Sequence, residues 1–214
     1  MGISRREADE LIQKGSVTVN GTLAILGSQA TDGDIIAVNG KPLGGQTALR
    51  YVLFNKPVGY VCSRKAQGEN PTIYDLLSAD MAPLKPVGRL DKDSSGLLIL
   101  TNDGDFAHQM THPSFRKVKV YQVSLDKALE PLHQQMIADY GVEIGDGTSK
   151  LSLERVDDAR KDWVVTMSEG RNRQIRRTFG ALGYTVTSLH RTNFGPYGLS
   201  GLESGQIHEL LDIR

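Results

Sequence analysis

Gly88-Arg89-Leu90-Asp91-Lys92-Asp93-Ser94-Ser95-Gly96-Leu97-Leu98-Ile99-Leu100-Thr101 sets an acid-bearing polar run directly against the most compact apolar run of the chain. Four consecutive large aliphatic residues are too short for a helix of their own and read as a strand covered on both faces. The polar run then forms the approach to that strand. If 89–91 is extended, Arg89 and Asp91 share a face, and the cation stands beside an ionised carboxylate, a candidate nucleophile. A plain turn between two strands is the simpler reading. Asp91-x-Asp93-x-Ser95-Gly96 also matches the first half of a calcium loop, but Asn102 stands where the bidentate Glu belongs, and a strand replaces the exit helix.

Working outward, strands are expected over 51–54 and 59–62 around a turn at 55–58, with Cys62 as a buried strand residue. Asn102 or Asp103 can cap a short helix that Pro113 closes. Lys119, Tyr121, Val123 and Leu125 alternate with Val120, Gln122 and Ser124 as a strand with one mostly apolar face. Leu129, Leu132 and Met136 follow helical spacing up to Gly141, and alternating strands follow around Leu151/Leu153 and Trp163/Val165/Met167. A helix from about Asn172, carrying Ile175, Phe179 and Leu182, stops at Gly183. This order predicts an α+β fold on a mixed, mainly antiparallel sheet.

Residues 1–45 read as a small unit of their own: a helix capped by Ser4 with Glu7 at capping-box spacing, then short strands ending at Asn20-Gly21 and Asn39-Gly40. A Gly-rich linker at 42–47 separates it from a larger unit over 50–214. So few residues make a thin core, so the front unit is expected to lean on something else or to be incomplete.

Glu169-Gly170-Arg171-Asn172-Arg173-Gln174-Ile175-Arg176-Arg177 packs four arginines around a single acid. With Ile175 centred on the apolar stripe, Arg173 and Arg177 fall on the far side of the helix, and Arg176 lies on the flank at roughly 100°. A solvated face is the plain reading. Mutual repulsion of four cations, and the fit of guanidinium to phosphate, favour an anion partner. Lys119 shares a face with Tyr121, the pattern of a base-stacking platform or of an ordinary cross-strand pair.

The chain holds 25 Lys+Arg against 25 Asp+Glu, so nucleic-acid affinity has to come from local clusters. The expected basic face bears Arg5, Arg6, Arg89, Lys119, Arg171, Arg173, Arg176 and Arg177, with Glu143, Asp146, Glu154, Asp157 and Asp158 elsewhere. One cysteine excludes an intramolecular disulfide and a Cys-based zinc site. His108 and His112 lie one helical turn apart with no third ligand placed near them, so no metal is expected. No apolar run approaches the roughly 20 residues of a membrane span, and the N-terminus has no secretory core, so a cytoplasmic protein is expected.

Four segments, Phe54-Asn55-Lys56-Pro57-Val58-Gly59, Gly88-Arg89-Leu90-Asp91 with Ser95-Gly96-Leu97-Leu98, Lys119-Val120-Tyr121, and the arginine segment at 169–177, stand in the order seen in bacterial ribosomal-RNA pseudouridine synthases of the RsuA/RluB/RluE/RluF type. The resemblance spans nearly the whole chain from Tyr51 onward. The front segment resembles the S4-like RNA-binding domain of that family without its first helix.

The resemblance implies isomerisation of uridine to pseudouridine in ribosomal RNA, by a cytoplasmic monomer needing no cofactor. It puts Asp91 in the place of the catalytic aspartate and Tyr121 in that of the active-site tyrosine. Arg176, with Arg171 as alternative, becomes the cation paired with Asp91. Arg89, Lys56, Lys119, Arg171, Arg173, Arg177, Arg5 and Arg6 become RNA contacts. The stretches His112-Pro113-Ser114 and Lys119-Val120-Tyr121-Gln122-Val123 look more like the large-subunit (23S) than the small-subunit (16S) enzymes. A non-catalytic RNA-binding or ribosome-assembly factor with the same fold is the alternative.

Overall fold

The structure is a computed structural model and describes residues 3, 5–31, 33–44, 48–64 and 68–211, with only the backbone of Arg5. Ser4, residues 45–47 of the linker and the Arg5 side chain therefore lie outside the described residues.

The chain divides into two compact units, Met1–Ala48 and Leu49–Arg214. In the first, helix α1 (Arg5–Gln13) precedes strands β1 (Val17–Val19), β2 (Thr22–Leu23), β3 (Ile36–Val38) and β4 (Lys41–Pro42), in sheet order β2-β1-β3-β4. Both hairpins turn on Asn-Gly: Asn20 and Gly21 have φ of 51° and 82°, Asn39 and Gly40 of 50° and 75°. Positive φ at both central residues matches the right-handed twist of the strands, and Asn and Gly tolerate it best. The core is small: Val17, Ala24 and Val38, with Leu11, Ile12, Val19 and Ile36 against them.

The second unit contains β5 (Tyr51–Lys56), β6 (Lys85–Val87), β7 (Ser95–Thr101), α2 (Gly104–Thr111), β8 (Lys119–Leu125), α3 (Pro131–Gln135), β9 (Val142–Glu143), β10 (Thr148–Ser149), β11 (Ser152–Arg155), β12 (Asp162–Met167), α4 (Gln174–Ala181), β13 (Val186–Phe194), β14 (Tyr197–Gly198) and β15 (Ile207–Leu210). Among the described residues nine of these strands form one sheet, ordered β11-β12-β8-β13-β7-β5-β15, with β14 on β13 and β6 on β7. Every pairing is antiparallel except β13 with β7. Strand β7 explains the apolar run: Leu98 and Leu100 enter one core with Val52, Phe54 and Tyr121, while Leu97 and Ile99 enter another with Leu53, Val87 and Phe194.

The cap of α2 is Asp103, whose side chain accepts from the Asp105 and Phe106 amides. The expected strand at 59–62 does not form. Both edges of β5 are already taken by β7 and β15, so no hairpin partner fits there. Instead Gly59 N–H donates to the Lys92 carbonyl at 2.7 Å, and Val61 makes only an isolated bridge with Thr72. Cys62 is thus half-buried off the sheet, its Sγ accepting from the Leu90 amide at 3.5 Å. Among the described residues no helix is long and apolar enough to cross a membrane.

Candidate active site

A pocket of about 500 Å³ opens where the loop before β7 meets the first residues of β8, the segment leading into α4, and β13. Its walls include Asp91, Tyr121, Lys119, Arg173, Ile175 and Arg191, and its size suits a nucleoside-sized ligand.

Asp91 sits in the loop between β6 and β7, and this loop is anchored from below. Lys56, the last residue of β5, is fully buried, and its ammonium donates to the carbonyls of Pro57 (2.9 Å), Asp91 (3.1 Å) and Ser94 (2.7 Å). Three N–H groups meet three carbonyls, so the charge is held although burial pushes its pKa down. Lys56 is therefore no RNA contact. Its strand position is covered by the loop it ties down, something the local sequence does not reveal.

Gly96 closes the other side of the loop, facing Lys56 on β5 and Arg191 on β13 in register. Its φ is 106°, and a Cβ there would lie 2.2 Å from the Arg191 carbonyl oxygen, so only glycine lets β13 approach.

The cation on Asp91 is Arg173. Its Nη1 lies 3.2 Å from Asp91 Oδ2 and 3.0 Å from Asp93 Oδ1, and its Nη2 lies 3.1 Å from Asp93 Oδ2. One guanidinium thus bridges the two carboxylates. The hydrogen bond from Arg173, helped by the charges of Arg176 and Arg173, holds the Asp93 carboxyl below its usual range.

This overturns the expected pairing of Arg176 or Arg171 with Asp91. Helix α4 begins at Gln174 rather than Asn172, and Arg173 precedes it in a left-handed conformation, φ 47°, that turns its side chain toward the loop instead of the helix's far face. Arg176 joins Asp93 instead, with Nε 3.3 Å from Oδ2 and Nη2 2.8 Å from the Asp93 carbonyl, and also reaches Val186 O at 2.7 Å. Arg171 meets Asp146 at 3.3 Å, Glu169 at 3.2 Å and the Thr148 carbonyl at 2.8 Å. Arg177 joins Asp146 as well, Nη1 to Oδ2 at 3.0 Å, and the Ile144 carbonyl.

The four arginines therefore do not lack acids. Asp91, Asp93 and Asp146, distant in sequence, stand among them, and Asp146 does not lie on a separate acidic face. Arg89 lines the pocket but lies in the loop, not on a strand, and makes no ion pair with Asp91 among the described residues. Its expected i, i+2 alignment fails because the segment is not extended sheet. Taken by guanidinium groups, the Asp93 oxygens serve as no half of a calcium loop.

Tyr121 is buried on the inner face of β8, directly paired with Arg191 of β13 and Val165 of β12. Lys119, two residues earlier, shares that face, with its Nζ 5.3 Å from the Phe194 ring. Sequence reasoning missed Arg191, which is 2% exposed and lines the same pocket. Its signal was present: a cation two residues after the buried Leu189, at an inward position of an alternating strand. Among the described residues Arg6 is exposed on α1.

The chain matches the family model described as RNA pseudouridylate synthase over residues 50–181. It is 37% identical to the dual-specificity RNA pseudouridine synthase RluF of Salmonella typhi, over 98% of this chain and 72% of that protein. It is also 35% identical to the ribosomal large subunit pseudouridine synthase B of Bacillus subtilis (97% and 86% covered). Identity to the ribosomal small subunit pseudouridine synthase A of Pasteurella multocida is 36% (98% and 91% covered). A crystal structure of a pseudouridylate synthase superposes with a TM-score of 0.71 at 33% identity, covering 98% of this chain and 91% of that one. With the family model spanning 50–181 and these relatives matched over nearly the whole chain, the pocket lined by Asp91 and Tyr121 belongs to a member of the RNA pseudouridine synthase family, of the RsuA/RluB/RluF type.

Proposed function

We propose that this enzyme isomerises uridine to pseudouridine in ribosomal RNA, with Asp91 as the catalytic carboxylate. The observation that carries the reading is the pairing of Asp91 and Tyr121 in one pocket, with Asp91 fixed from two sides by Lys56 at its backbone and Arg173 at its carboxylate. Isomerisation breaks the N1–C1′ bond, turns the ring and joins C5 to C1′. It conserves atoms, so no redox cofactor or water is consumed. A carboxylate is needed at the sugar, to take up C1′ or to remove the C2′ proton, and an enclosed space must retain the detached base.

Flipping a uridine out of an RNA helix costs a few kcal/mol, and stacking on an aromatic offsets about 1–3 kcal/mol of it. Tyr121 supplies that surface, and its hydroxyl is the group we assign to proton removal at C5. Residues 1–45 act as an S4-like RNA-binding unit, using Arg5 and Arg6, and residues 50–214 as the catalytic domain. Relatives named for the large subunit, the small subunit and both specificities match similarly well. We place the target in large-subunit RNA on the strength of residues 112–114 and 119–123. The enzyme acts as a cytoplasmic monomer.

The test is release of tritium from ribosomal RNA labelled at C5 of uridine. Purified protein should release a stoichiometric, single-site amount from large-subunit RNA. No release from either subunit's RNA overturns the reading and leaves a non-catalytic RNA-binding factor.

A further inference from the structure

Two cations stand deep in the pocket and differ from the arginines around Asp91. Arg191 donates through Nε to the Leu97 carbonyl at 2.8 Å, its guanidinium carbon is 4.8 Å from the Phe194 ring centroid, and its buried Nη2 has no acceptor among the described residues. Lys119 lies against the same ring and donates to the Glu169 carbonyl at 3.2 Å. Arg171, Arg173, Arg176 and Arg177 each make an ion pair with a carboxylate, whereas among the described residues neither Arg191 nor Lys119 does. Burial, and then the neighbouring charge of Arg191, hold the Lys119 ammonium below the usual lysine range. Two like charges gathered on one buried ring cost stability and suit an anion delivered by the substrate.

We propose that Arg191 and Lys119 together stabilise the negative charge that the uracil ring acquires when its glycosidic bond breaks. The assignment rests on the functional reading above. When N1–C1′ breaks, the bonding electron pair stays with the ring, and uracil detaches as an anion with charge over N1 and its carbonyl oxygens. Asp91 meanwhile takes up C1′ or receives the C2′ proton. When C5 then bonds to C1′, Asp91 releases C1′ or gives the proton back to C2′ and regains its negative charge, and the ring is restored as C5 loses its proton and N1 gains one. The transient anion has to be held beside Tyr121, and Arg191 is the direct cross-strand neighbour of Tyr121. Donors fixed in a water-poor site toward developing charge are an effective form of catalysis. Location separates this role from phosphate binding. Backbone phosphates are met by exposed cations, whereas Arg191 is buried at 2% exposure.

The experiment uses the full chain, in vitro transcribed ribosomal RNA, and the same RNA made with 5-fluorouridine, whose ring departs more readily as an anion. Arg191→Gln and Lys119→Gln should each slow single-turnover formation of the C-linked product from uridine RNA by about 10²-fold, with the Kd for RNA held within about threefold. On 5-fluorouridine RNA, read as single-turnover loss of the N-linked nucleoside because C5 carries no proton to release, the loss of rate should shrink by about tenfold or more, and Arg191→Lys should recover part of the rate. Lys119→Gln, at a half-buried position, keeps the test decisive if Arg191→Gln does not fold. Equal losses on both RNAs, or a weakened Kd at an unchanged rate, overturn the assignment while the activity stands. An inactive wild-type protein overturns the functional reading itself.

Discussion

Lys56→Met should loosen the loop that carries Asp91 while leaving the RNA-facing surface as it is. The wild-type ammonium makes hydrogen bonds of 2.7, 2.9 and 3.1 Å to three carbonyls, and the residue is fully buried. Methionine matches the stem but offers no donor. Each buried carbonyl left without a partner costs about 1–3 kcal/mol, and relief of the buried charge offsets part of the sum, for a net loss of about 2–4 kcal/mol. In a domain of this size that corresponds to a fall in Tm of about 5–12 °C. Small displacements of a reacting group cost up to about 10²-fold, so kcat should drop by roughly one to two decades at a nearly constant KM. Urea melts and steady-state pseudouridine formation read the two effects separately. Unchanged stability, or weakened RNA binding at full stability, would refute the anchoring role.

Gly96→Ala should destabilise the protein by about 3 kcal/mol or more, because its Cβ meets the Arg191 carbonyl at 2.2 Å and its φ of 106° disfavours a side chain; a melt within about 1 kcal/mol of wild type would contradict the geometry. Arg173→Gln frees Asp91 and Asp93 together and should lower kcat by about 10²-fold, whereas Arg177→Gln, whose carboxylate partner is Asp146, should cost less than about tenfold; reversal of that order in a tritium-release assay would contradict the assignment of Arg173 to Asp91. Asp93 is depressed by Arg173, so its stabilising contribution is present above the ordinary carboxylate pKa of about 4 and is lost as pH falls through its folded value. The Tm difference between wild type and Asp93→Asn should thus be flat near neutrality and close on acidification, and a gap that widens toward low pH would contradict the pair.

What could be read in the sequence was whatever local rules decide. The Asn-Gly hairpins follow from positive φ, the start of α2 from the Asp103 cap, and β7 from an apolar run that needs cover on both faces. The mixed, mainly antiparallel sheet followed from the order of elements. The pairing inside the site was hidden, because Arg173 and Asp91 lie 82 residues apart and meet only through the one residue that enters α4 left-handed. Helix geometry applied two residues too early sent Arg173 to the wrong face. Lys56 and Arg191 failed for a related reason. Whether a strand cation meets solvent depends on which loop or neighbouring strand covers it; alternation can place Arg191 on an inward face, but it does not report the loop that covers Lys56. Apart from Glu169, the acids that neutralise the arginine segment likewise come from the loops at 91–93 and 146, far from it in sequence.

The central claim is that Asp91 carries out uridine isomerisation in ribosomal RNA. Carbodiimide-induced reverse-transcription stops, mapped on ribosomal RNA from cells lacking the gene, test it most directly. One stop should disappear, return with the wild-type gene, and stay absent with an Asp91→Asn protein that still binds the RNA. Restoration of that stop by Asp91→Asn, or an unchanged set of stops on deletion, would contradict the account.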